Sequence, residues 1–109
     1  MATAYKVLGQ SNPSATTATS LYTVPSLTST VVSTITVCNQ ASTAGTFRIA
    51  IRPAGAALAA QHYVAYDTPI AANDTIALTL GITLATTDVV TVYASSANMS
   101  FNAYGSEIS

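Results

Sequence analysis

The chain has 109 residues, of which half are apolar and only 6% are charged, and its net charge is -1. That length fits one domain with one hydrophobic core, and the apolar content excludes disorder, which needs low hydrophobicity and high net charge. The apolar residues come in short pieces broken by Thr, Ser, Asn, Gly and Pro, so no run of about 20 can span a membrane as a helix. The three cations, Lys6, Arg48 and Arg52, are too few to neutralise a nucleic-acid backbone.

In chain order, Ala4–Gln10 reads as a first strand, and Lys6-Val-Leu8 is expected to pair with another strand. Ser11–Ser20, SNPSATTATS, is polar and small, with Asn12-Pro13 as turn punctuation; it reads as a loop or an extended arm. Leu21–Val24 ends at Pro25 and predicts a short edge strand. Thr30–Asn39 is the clearest strand, with Val31, Ile35 and Val37 on one phase and Val32, Thr34, Thr36 and Cys38 on the other.

After a Gly-containing loop at Gln40–Gly45, Thr46–Arg52 alternates Phe47, Ile49 and Ile51 against Arg48, Ala50 and Arg52. Pro53-Ala-Gly55 breaks this run. Ala56–Ala60 has the composition of a helical turn but is too short for a stable helix. Gln61–Asp67 predicts a fifth strand, with His62, Val64 and Tyr66 on one face, Tyr63 and Ala65 on the other, and Thr68-Pro69 as its end.

Thr75–Leu80 predicts a sixth strand, with Ile76, Leu78 and Leu80 on one side, stopped by Gly81. Ile82–Leu84 reads as a crossover. Val89–Ala94 and Met99–Tyr104 complete the pattern as seventh and eighth strands. Seven or eight short strands separated by turn signals predict a single all-β domain over 1–109, an antiparallel sandwich of jelly-roll or immunoglobulin-like type.

The inventory for chemistry is thin. His62 is the only histidine, and Asp67 falls on the opposite phase of the same strand, so the pair makes no acid–base or metal constellation. Asp74 and Asp88 sit in turn contexts where Asp caps backbone amides. Glu107 completes the carboxylates, and no DxDxDG calcium pattern is present. Cys38 is the only cysteine. It has no neighbouring cation to lower its pKa, so it reads as a small buried hydrophobe, with an intermolecular disulfide as the alternative.

No glycine-rich phosphate loop and no Ser/His/Asp set occur. The expectation is no enzyme, and no catalytic, cofactor-binding or metal-binding residue. The six tyrosines, Tyr5, Tyr22, Tyr63, Tyr66, Tyr93 and Tyr104, all fall in predicted strands and suit either sheet packing or contact surfaces. Tyr63 and Tyr93 are the pair that would make an aromatic platform for a carbohydrate.

The near-absence of charge leaves a surface of hydroxyls and amides with little self-repulsion. This predicts burial of that surface against other subunits, since Lys and Glu are depleted at interfaces. The N-terminus lacks the basic and apolar segments of a signal peptide, and a lone cysteine fits synthesis in a reducing cytoplasm.

Leu21-Tyr-Thr-Val-Pro25, Val32-Ser-Thr-Ile-Thr-Val-Cys-Asn39, Phe47-Arg-Ile-Ala-Ile-Arg-Pro53, Asp67–Thr75 and Ser100–Ile108 resemble a group of small virion proteins of tailed phages, including cyanophages. The resemblance covers nearly the whole chain and contains no catalytic motif. It implies a structural part of the particle: a capsid cement or decoration protein, often a homotrimer on the head that contacts the major capsid protein. The alternative is a module of the neck, baseplate, tail fibre or spike that contacts other virion proteins and binds a host glycan. It implies no cofactor, nucleic acid or membrane partner.

Overall fold

The computed structural model describes residues 2–109. Nine strands form: β1 (Thr3–Ser11), β2 (Thr19–Thr23), β3 (Ser29–Asn39), β4 (Gly45–Arg52), β5 (Tyr63–Ile70), β6 (Thr75–Leu78), β7 (Ile82–Leu84), β8 (Val89–Ala94) and β9 (Met99–Ile108). Every pairing is antiparallel. The first sheet has the order β1-β9-β3-β6, with β7 also on β3, and the second has the order β2-β8-β4-β5.

This order decides between the two sandwich types. The chain pairs with itself as one long hairpin: β1 with β9, β2 with β8, β3 with β6 and β7, and β4 with β5. The hairpin is then rolled, so that β9 also meets β3 and β8 also meets β4. That is a jelly roll. In an immunoglobulin-like sandwich the first strand would pair with the second instead.

Alternation fills the core. Phe47 and Ile49 of β4, with Val90, Val92 and Ala94 of β8, face Ile35 and Val37 of β3 and Phe101 and Ala103 of β9. Phe47 and Phe101 meet edge to face across the sandwich, with centroids 6.2 Å apart. Each such fully buried large apolar side chain contributes about 1.5–3 kcal/mol. The polar atoms inside are also satisfied: no buried side-chain nitrogen or oxygen lacks a hydrogen-bond partner among the described residues.

The structure corrects several sequence expectations. In β3 a register shift between Val32 and Thr34 changes the phase, so Val32 joins Ile35 and Val37 in the core while Val31 does not. Ile82–Leu84 is not a crossover; it is strand β7, paired with β3 and separated from β6 by Gly81 at φ +62°. β5 runs through Pro69 to Ile70. It is an edge strand, where a missing N–H is tolerated.

Ser11–Ser20 is not a free arm. Its two ends belong to β1 and β2. Asn12 Nδ2 donates to the carbonyls of Ala97 and Met99 at 3.0 and 2.6 Å, and the Thr16 N–H donates to Ala94. The alanine-rich stretch forms no helical turn over 56–59; short 3-10 turns flank it at Pro53–Gly55 and Ala60–His62.

Candidate functional site

Arg48 stands on the outward phase of β4, opposite Tyr93 of β8. Its guanidinium carbon lies 4.3 Å from the Tyr93 ring centroid and 4.2 Å from that of Tyr66 on β5. The cation is thus gripped between two aromatic faces. Its edge is held as well: Nε donates to Asp67 Oδ1 at 2.6 Å and Nη2 donates to Oδ2 at 3.3 Å. Hydrogen bonding to Asp67 holds the Arg48 pKa above its ordinary value.

Asp67 reaches this position because the backbone turns at φ +46° there, within the register shift of the β4–β5 pair between Thr68 and Ala65. The register shifts of this pair overturn the expectation that Tyr63 and Tyr66 lie on opposite faces. Their rings meet edge to face with centroids 4.9 Å apart. Beside them runs an open groove of about 680 Å³, lined by Leu58, Ala59, Ala60, Tyr63 and Tyr66.

The platform expected from Tyr63 and Tyr93 is therefore built differently. Tyr93 and Tyr66 stack on Arg48, and the rings beside the groove are exposed Tyr66 and half-buried Tyr63. The outward phase of Arg48 was visible in the alternation of β4; the arrival of Asp67 was not, because it depends on the bulges. The cluster offers aromatic faces, a permanent cation and a carboxylate, with no nucleophile and base poised against each other.

The remaining charges are also engaged. Lys6 Nζ lies 3.1 Å from Glu107 Oε1. Arg52 donates to Thr91 Oγ1 and to the Ala56 carbonyl. Asp88 accepts from the Ala54 and Ala85 amides at 2.9 and 2.8 Å, and Asp74 accepts from the Thr75 amide. Both residues thus cap turns as the sequence predicts. His62 sits in the turn before β5 and accepts the Ala59 N–H on Nδ1 at 3.1 Å. Among the described residues no group of three His, Cys, Asp or Glu side chains converges.

The outer face of the first sheet is of the opposite character. Tyr5 and Val7 of β1, Asn102 and Tyr104 of β9, and Thr36 and Cys38 of β3 share it with Ser100 and Thr75. Among the described residues it carries no charged side chain. Cys38 is partly exposed on this face as a free thiol, which corrects its reading as a buried hydrophobe: its neighbours Val37 and Asn39 take the inward phase. Comparison with protein families, with curated proteins and with solved structures finds no match to this chain.

Proposed function

We propose that this chain is a non-enzymatic structural protein of a tailed-phage virion, a capsid decoration protein that stabilises the head by clamping the major capsid protein. One observation carries the assembly role. The three cations and four anions are engaged within the chain, while an entire sheet face is left uncharged. Such a face costs little to desolvate and is not repelled by a neighbour. The jelly roll is a fold used by capsid and lectin domains; the phage setting comes from the sequence resemblance.

Deleting the gene and heating the particles tests this reading. Particles without the protein should release their DNA at a lower temperature than intact ones. Unchanged head stability would remove the decoration role.

The groove beside Tyr63 and Tyr66 favours a second reading, a tail-, neck- or fibre-attached module that binds a host glycan. Aromatic rings offer an apolar surface to a sugar's C–H face, and the spare N–H groups of Arg48 and the Asp67 oxygens suit its hydroxyls. A glycan array decides it: binding that is lost in Tyr66→Ala supports this module, and no binding on any array glycan discards it.

A further inference from the structure

We propose that the free edge of β1, over Thr3–Val7, is a pairing site for the same edge of a second copy of this chain, giving a two-fold dimer with one continuous sheet. Among the described residues β1 pairs with β9 alone. Ala2 and Ser109 exchange both of their backbone hydrogen bonds, at 2.7 and 2.8 Å. In an antiparallel ladder the bonded residues alternate, so Ala4 and Lys6 face β9, opposite Glu107 and Gly105. The N–H and C=O groups of Thr3, Tyr5 and Val7 therefore point away from the sheet, where a strand can meet them.

The other edges are protected in ways that discourage pairing. β2 has only five residues and a register shift. β5 carries Pro69 and two register shifts. β6 and β7 are short, four and three residues, and are broken apart at Gly81. β1 has nine residues and no proline. Its bulge lies beyond Val7, so the stretch before it is regular.

The occupant follows from the edge itself. A row of alternating donors and acceptors is matched by another extended strand, and this row is self-complementary about Tyr5. Placing Tyr5 opposite Tyr5 of the second copy puts Thr3 opposite Val7 on both sides, each pair exchanging two hydrogen bonds. No charge opposes the contact, because Lys6, the one charged residue of β1, is tied to Glu107.

Side chains extend the contact. Tyr5 is 86% exposed, Val7 47% and Tyr104 36%, all on the uncharged outer face, where aromatic and β-branched cross-strand pairs are favourable. A five-residue strand pair with these side chains is smaller than a standard interface of about 1,600 Å². The contact is therefore concentration-dependent in solution and gains strength when copies are arrayed side by side.

Sedimentation of the purified full chain over a concentration series tests the proposal. The expected result is a shift from the 11.1 kDa monomer to twice that mass. Tyr5→Pro removes an outward N–H and the exposed ring but no hydrogen bond to β9, and an edge strand tolerates proline at such a position, so it should abolish the dimer while leaving a cooperative thermal transition of the monomer in place. Amide exchange of the unaltered chain is a second measurement that needs no variant: Thr3, Tyr5 and Val7 should gain protection with concentration, and Lys6 should be protected throughout. A chain that stays monomeric at about 1 mM, a trimer, or a dimer that survives Tyr5→Pro would overturn the proposal.

Discussion

The Tyr22 hydroxyl donates a 2.5 Å hydrogen bond to Glu107 Oε2 and so ties β2 of one sheet to β9 of the other. The same hydroxyl lies 2.8 Å from Thr30 Oγ1, and Lys6 approaches Glu107 from β1. Burial, then the bond to Glu107, pushes the Tyr22 pKa up from 10.0 to about 12. The bond from Tyr22 is the main cause holding the Glu107 carboxyl below its ordinary 4.5.

The signs of these shifts predict the pH profile. Glu107 contributes stability that is present above its unfolded value and lost as pH falls through its depressed folded value. Tyr22 contributes stability that is present below 10.0 and lost as pH rises through about 12. Tyr22→Phe removes the alkaline dependence, weakens the acid one, since Lys6 still bonds Glu107, and strands the buried Thr30 hydroxyl, at a cost of about 1.5–3 kcal/mol near neutral pH. Urea unfolding of both chains from pH 3 to pH 11 checks this; parallel curves across the range would refute it.

Asn39 is the second polar tie. It is 1% exposed, its Nδ2 donates to the carbonyls of Thr43 and Ala71, and its Oδ1 accepts the Ala41 N–H. One side chain thereby fixes the loops after β3 and β5. Asn39→Ala should cost about 2–4 kcal/mol through stranded backbone groups and a small cavity, measured by denaturant midpoint at constant slope.

Gly105 marks where β9 passes the bulge of β3. A Cβ there would collide with the Val31 carbonyl oxygen and approach the Val32 Cα at 3.0 Å, and backbone cannot move aside cheaply. Gly105→Ala should destabilise by about 1–3 kcal/mol or more. Ser106→Ala at the adjacent position should stay within about 0.5 kcal/mol. Equal thermal midpoints for the two variants would contradict the close approach.

Leu27 sits at φ +58° and is 90% exposed, in the turn between β2 and β3. A leucine in the left-handed region costs about 1 kcal/mol, a conformation asparagine adopts readily. Leu27→Asn should therefore raise stability by about 1 kcal/mol, seen as a higher thermal midpoint. A fall would mean that the leucine packs against something in the turn.

The sandwich was legible because the core is made of alternating apolar residues, and alternation survives in β4 and β8 without interruption. Phe47 and Ile49 share one phase in the sequence and both lie in the core, where Val90 and Val92 of the predicted strand Val89–Ala94 meet them. What the pattern missed comes from single inserted residues. A bulge inverts every side chain beyond it, so Val31 and Val32 exchanged roles and Tyr66 joined Tyr63. The left-handed turns at Leu27, Asp67 and Thr87 carry none of the glycines that mark such positions, so Asp67 could not be placed against Arg48. Strand order, which selects the jelly roll, depends on contacts between β1 and β9 that local periodicity does not encode.

We propose above that this chain is a structural component of the virion head. Its copy number in purified particles, measured by quantitative mass spectrometry against the major capsid protein, tests it most directly. A copy number on the scale of the major capsid protein is the predicted result. Absence from the particles, or a number on the scale of the tail proteins, would contradict it.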